Sequence, residues 1–555
     1  MNTRDDNELY CGGQLPDPFE DLEPWAETPP EIRPSQPEVR IGADFGRVVD
    51  EALGHLTKHP NVYQWNNRLV LVERVADPGI PLAITPLRTQ TLRKELSRTC
   101  AFLRLKQEGR GSDCTWVPYE VPPPKDVADC LLQQSSWEGI RPLTQVVQTP
   151  TIRPDGSILE TPGYDDATGI YYEQLEAWPP IPTSPTREDC MLAAQRILDV
   201  VKDFPFKSAA DRSTYLGAVM TPFALAAING PIPLTMIEAP TSRTGKSLLA
   251  GVIGTIVGGA KSIAKTPPFE SDAECAKSIL AFALRGVNAV LIDNCAGDVG
   301  WPSLDMAITA ERTDRRLLGT NEVIGVSTHF PWYGTANNPN YKHDIVGRMV
   351  IIGLDAGVER PEERTGFEHS DLLGWTLANR PALVTDILTI FRGFFAAGCP
   401  APSSPLKHFG GFEAWTRLIR HLIVWLGLPD PIEARDAMLE KRDNENHAWQ
   451  RLFYVLFEAF KARQFTARDI QNHTVVKEAL EELAPEGRIL TNQAIGILLR
   501  KAAEQVHAGL ILTNPVRSGR DVARWKMEVH NAKAYEAFAQ TDLSAKEEPF
   551  LEDTL

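Results

Sequence analysis

The stretch Pro240, Thr241, Ser242, Arg243, Thr244, Gly245, Lys246, Ser247 combines glycine, lysine and hydroxyl in the order that a phosphate-cradling loop requires. Such a loop follows G-x-x-x-x-G-K-[ST] and lies between a strand and a helix. There the backbone N–H groups and the helix N-terminus face the phosphates. The apolar run Pro233–Ala239 predicts the strand, and Lys246–Val257 predicts the helix. In this arrangement Lys246 reaches the β- and γ-phosphates and the Ser247 hydroxyl holds Mg²⁺. Pro240 occupies the place of the first glycine, which removes one N–H and fixes one φ.

Three later positions complement the loop. Ala289–Asn294 is an apolar run that ends in Asp293, 47 residues after Lys246, where a carboxylate enters the Mg²⁺ shell through water. The next residue, where a water-activating glutamate is usual, is Asn294, so the base stays open between Asp298 and Glu311, with Asn294 at most orienting the water. Trp332–Pro339 predicts a strand ending in Asn337, a group placed to touch a γ-phosphate or the water, with Asn338 as the alternate. Arg348 stands eleven residues after Asn337 at the head of Met349–Asp355, where an arginine can stabilise charge on a neighbouring subunit's γ-phosphate.

The order Lys246, Asp293, Asn337, Arg348 resembles that of AAA+ ATPases. Arg316–Val326 reads as a hairpin turning at Gly319 to Glu322. A hairpin just before the Asn337 strand is similar to superfamily 3 and minichromosome-maintenance helicases, in which it grips DNA in the pore of a ring. The wider succession is PDGSI, PGYDDATGIYY, APTSRTGKSLL, LIDN, RLLG, TANNP and ERPEERTGFEH. Over roughly residues 45–530 it resembles helicase or primase-helicase proteins of phages, plasmids and integrative elements. The resemblance implies a hexamer, ATP and Mg²⁺, and translocation on single-stranded DNA. Two features depart from it: no primase-polymerase site is recognisable, and the hairpin tip lacks a basic residue, leaving Arg315 and Arg316 at its base as substitutes. A nucleotide-dependent initiator, loader or switch with slow or no hydrolysis is the alternative, and Asn294 favours it.

The elements that must position these groups set the expected fold class. It is multidomain α/β: an AAA+ core of parallel sheet flanked by helices, a mixed α+β N-terminal domain and a C-terminal winged helix. The expected boundaries are an acidic disordered tail at 1–40, the N-terminal domain at 41–177 and a Pro-rich linker at 178–186. The ATPase core follows at 187–368, a helical lid at 369–440, the winged helix at 441–530 and a second acidic tail at 531–555. Within the winged helix, Arg517, Arg520, Arg524 and Lys526 form a basic wing that can bind phosphates without reading sequence.

The net charge of −16, taken as a total, disfavours nucleic acid. Residues 1–40, however, hold ten acids and three bases, and 536–555 hold six acids and one base, so the body is nearly neutral. A near-neutral body can line a channel with positive charge, which matters more than the total. The acidic tails, each containing aromatics, could dock a replication partner. No apolar run is long enough to span a membrane, no CxxC suggests zinc, and a cytoplasmic location is expected.

Overall fold

The structure is a computed structural model that describes residues 36–74, 82–109, 114–259, 263–317, 323–358, 360–483, 490–513 and 523–545. Five strands form its central sheet: β1 (Leu234–Ala239), β2 (Ala264–Thr266), β3 (Val290–Val299), β4 (Trp332–Tyr341) and β5 (Met349–Gly353). All pairings are parallel, in the order β2-β3-β4-β1-β5. Val290, Leu291 and Ile292 are all buried, as expected for a parallel strand covered on both faces. The chain is therefore a multidomain α/β protein with a parallel sheet flanked by helices, an arrangement compatible with a phosphate-loop core.

The covering helices are α1 (Arg187–Asp199), α2 (Ala209–Met220), α3 (Lys246–Gly258), α4 (Asp272–Arg285), α5 (Pro302–Thr309) and α6 (Leu372–Ala396). Local chemistry fixes several ends. Ser271 accepts the Glu274 N–H at the start of α4, and Gly286, at φ +62°, closes its C-terminus. Helix α6 begins at Leu372, where Asp371 caps it by accepting the Gly374 N–H, and runs through Pro381. One hydrophobic core, from Ile152 to Ile432, joins the sheet to these helices. The Pro-rich stretch expected as a linker packs on that core: Ile181 is buried, and the Arg380 guanidinium lies 5.2 Å from the Trp178 ring centre.

Between β3 and β4, Arg312–Arg316 and Val323–Ser327 pair antiparallel as a hairpin; its tip, including Gly319 to Glu322, lies outside the described residues. The N-terminal part has a separate core, running from Val39 to Ile140. There Asn66 and Asn67, at φ +49° and +56°, turn Val62–Trp65 into Arg68–Arg74. Its first strand, Glu38–Arg40, pairs with Ala101–Leu103, so ordered structure begins inside the segment expected as a tail. Val39, buried completely, is the reason.

A third core covers Leu452 to Met527. It is built from the end of the helix Glu433–Phe460, the helices Ala467–Gln471, Thr474–Glu481 and Asn492–Ala502, and a three-stranded sheet. The expected second tail begins instead as the helix Ala532–Ala545. Tyr535 there donates a 2.7 Å bond to Glu458 and packs its ring 5.3 Å from that of Phe457. The excess of acids in residues 536–555, six against one base, made this segment read as solvated. No described helix is long and apolar enough to cross a membrane.

Candidate nucleotide site

The phosphate-type loop links β1 to α3. Gly245 stands at φ +98° as the residue before the helix, a conformation in which a side chain would be strained, and a Cβ there would meet the Phe204 ring at 3.1 Å. Lys246 is buried, and its Nζ donates to the Thr241 carbonyl at 2.9 Å, so the ammonium is aimed into the loop. Burial holds its pKa below the ordinary lysine value. Thr244 braces the same turn, donating to the Thr241 carbonyl at 2.8 Å. Arg243, at φ +59°, reaches out to Glu362 at 3.2 Å and ties the loop to the segment after β5. Ser242 is exposed and Pro240 ends the strand at the surface.

The second half of the site is a bulge. In the β3–β4 register Ile292 faces Gly334 and Cys295 faces Ala336, so Asp293 and Asn294 together oppose Thr335 alone. Asn294 takes φ +65° to make this possible. The buried Thr335 hydroxyl donates to Asp293 Oδ1 at 2.7 Å and accepts the Asn294 N–H at 2.7 Å. Asp293 Oδ1 also receives the Ser247 hydroxyl at 3.0 Å, which joins the loop to the carboxylate strand. Lys265 Nζ, from the middle of β2, stands 3.9 Å from Asp293 Oδ2.

Asn337 is level with Ala239 across β1 and β4, so the sheet order brings it between the loop and Asp293. Alternation puts it on the same face as Thr335. Its Oδ1 is buried with no hydrogen-bond partner among the described residues, an arrangement that suits a group arriving from outside the chain. Asn338 is exposed at φ +43°. These residues fit a nucleotide phosphate with its magnesium ion. Among the described residues no group of three or more His, Cys, Asp and Glu could hold a metal. Magnesium shared with phosphates and waters needs only one or two protein oxygens, which Ser247 and Asp293 offer.

Other expected residues sit elsewhere. Asp298 lies at the far end of β3, exposed, bound by Lys342 at 2.5 Å and Asn340 at 2.7 Å; those bonds hold its carboxyl below the usual range, a poor setting for a base. Glu311 is exposed at the foot of the hairpin. Asn294 has an exposed side chain and meets the site through its backbone. Arg348 ends the turn before β5, where Met349 is level with Leu234, at the opposite end of the sheet from the loop. Its guanidinium is held 3.3 Å from the buried Asp305 on α5.

The hairpin arginines part company. Arg316 is exposed, whereas Arg315 turns inward and reaches the Ser303 carbonyl on α5 at 3.4 Å. Strand alternation separates them, which adjacent letters conceal. In the C-terminal part Arg524 is exposed, Lys526 pairs with Glu528 at 2.9 Å, and Trp525, between them, is fully buried. Arg517 and Arg520 lie outside the described residues. Thr335 and Lys265 are the site neighbours that sequence reasoning missed. Only the bulge and the strand order bring them in, and no local pattern signals either.

No family model and no curated protein matches the chain. Two solved structures are similar to it over most of its length. One is an apo A form of the NrS-1 C-terminal region, at TM-score 0.33 and 11% identity, covering 86% of this chain and 98% of that one. The other is SCCmec type IV Cch, described as an active helicase, at TM-score 0.28 and 12% identity, with the same coverage of 86% and 98%.

Proposed function

We propose that this chain is an ATP-dependent DNA helicase or translocase that works as a hexameric ring in the replication of a phage or mobile genetic element. The observation that carries the reading is the 3.0 Å bond between Ser247 and Asp293, which closes the phosphate loop against the carboxylate strand. In this reading residues 240–247 hold the phosphates and Lys246 neutralises them. Ser247 and Asp293 hold Mg²⁺, and Asn337 touches the γ-phosphate or the attacking water. Arg348 serves a neighbouring subunit, and single-stranded DNA runs past Arg316 on the hairpin. The C-terminal unit, now extended to residue 545, acts as a winged helix whose Arg524 and Lys526 meet backbone phosphates, together with Arg517 and Arg520.

The test is equilibrium binding of a fluorescent ATP analogue to Lys246→Ala, with ATP turnover of the unaltered chain measured with and without single-stranded DNA. Binding should fall at least tenfold in the variant, and DNA should stimulate turnover. Unchanged affinity removes the loop assignment. One observation favours a second reading as a nucleotide-dependent initiator, loader or switch: Asn294 stands in the base position, and the nearby Asp298 is engaged by Lys342. Nucleotide binding without DNA-stimulated turnover selects that reading.

A further inference from the structure

The strands Ala101–Glu108 and Thr115–Val121 share a sheet with Glu38–Arg40 as far as Leu103 and run on beyond it as a two-stranded arm; Phe102, at the three-stranded base, is the one fully buried residue of the two strands. A ribbon with solvent on both faces is marginal on its own, so its side chains serve contacts outside that core. One face begins with Phe102 opposite Val121 and continues outward with Arg104 opposite Tyr119 and Lys106 opposite Val117. Lys106 Nζ stands 5.8 Å from the Tyr119 ring centre, and that ring is 38% exposed. Where this face meets the helix Thr89–Thr99, a cleft of about 540 Å³ opens, with Gln90, Arg93, Lys94 and Ser97 on one wall and Phe102 and Val121 on the other. Four cations, Arg93, Lys94, Arg104 and Lys106, therefore follow one face from cleft to arm, with an aromatic ring among them. The nearby acids are Glu95, 3.8 Å from Lys94, Glu120 at the rim of the cleft, and Glu108, 2.5 Å from Lys106. The opposite face differs: Leu105, Pro118 and Trp116 make an apolar strip.

We propose that the Arg93–Lys94–Arg104–Lys106 face of this arm is a second nucleic-acid site that takes a single strand. The cations meet consecutive phosphates and Tyr119 stacks on an unpaired base. Spaced cations suit a polyanion. A ring exposed on a sheet surface takes the π-face of any base, but only one that is not already stacked in a duplex. The site stands apart from the nucleotide site and does not rest on its assignment.

The experiment uses the full chain without ATP and a fluorescein-labelled oligothymidine, read by anisotropy. Tyr119→Ala should weaken binding roughly tenfold or more. Arg104→Ala with Lys106→Ala should lower the slope of log affinity against log salt by about 1.4, the share of two phosphates. Trp116→Ala, on the other face, should change affinity less than twofold. All these side chains are exposed, so thermal melting should match that of the unaltered chain. Irradiation with an iodouracil-substituted strand should cross-link the peptide containing Tyr119. The same dependence should appear in a Lys246→Ala background, so failure of the motor reading leaves this result legible. Unchanged binding in both variants, a cross-link map without the arm, or variants that keep DNA affinity but lose self-association would overturn the proposal; the last outcome would make the arm a protein interface.

Discussion

Thr335 holds the two strands of the site in register with a single hydroxyl. It fixes one oxygen of Asp293 and the backbone of Asn294, while Ser247 approaches the same oxygen from the loop. A carboxylate that must share a metal shell has to be oriented before the metal and phosphates arrive, since reorganisation at the moment of reaction costs rate. Thr335→Val keeps the shape, removes both bonds and leaves the part-buried Asn294 N–H without its partner. We expect a stability loss of about 1–3 kcal/mol, read from the denaturant midpoint. Mg²⁺-dependent turnover should fall by more than tenfold, with nucleotide affinity changed by less than threefold. Equal activity in the variant would mean that Asp293 is held by other groups. The loop itself was legible in the sequence because its chemistry is local: eight consecutive residues carry their own geometry. Asp293 was legible from an apolar run ending in a carboxylate. Thr335 was not, because its role arises from a bulge that sets one residue of β4 against two of β3, and pairing across a parallel sheet leaves no short-range trace.

The helix α5 is the element that connects the parts. Its Asp305 holds Arg348, its Ser303 carbonyl receives Arg315 from the hairpin, and its Ser303 backbone N–H donates to Asp272 of α4 at 2.7 Å. Motion of the hairpin is thus mechanically tied to the residue proposed to act on the next subunit. The two adjacent arginines should therefore behave differently. Arg315→Ala withdraws a guanidinium from α5, so it should lower thermal stability and disturb ring formation. Arg316→Ala alters an exposed side chain and should reduce DNA-stimulated turnover severalfold while rings still form, an effect that shrinks as salt rises. Swapped phenotypes would place the DNA grip elsewhere. The sequence showed the hairpin, through its turn residues and flanking apolar positions. It could not show which arginine points inward, because alternation fixes the face only once the register is known. In the C-terminal unit the same limit concealed that Trp525, between Arg524 and Lys526, is a core residue.

At the scale of the whole molecule, the three largest hydrophobic cores of the described residues follow one another along the chain, and the nucleotide-type site belongs to the central one. The charged ends carry much of the net charge: residues 1–35 hold nine acids and two bases, and 546–555 four acids and one base. Removal of both ends should leave turnover and melting intact and hold or tighten DNA binding at low salt. Removal of all residues after 530 should instead destabilise the C-terminal unit, because it strips Tyr535 from Glu458 and Phe457. The proposed assembly is tested at Arg348. Met349 is level with Leu234, five residues before Ala239, so Arg348 stands about 17 Å from its own loop at strand spacing. That distance exceeds the reach of an arginine side chain, so any contact with a γ-phosphate must be made across a subunit boundary. Arg348→Ala and Lys246→Ala subunits should each be inactive alone. Mixed, they form some interfaces in which an intact loop faces an intact arginine, and turnover should return in proportion to those interfaces, peaking near equal amounts. Size measurement must show that the two populations exchange. Mixed rings with no recovery at any ratio would remove the shared site, and a chain that stays monomeric with ATP and DNA would remove the ring.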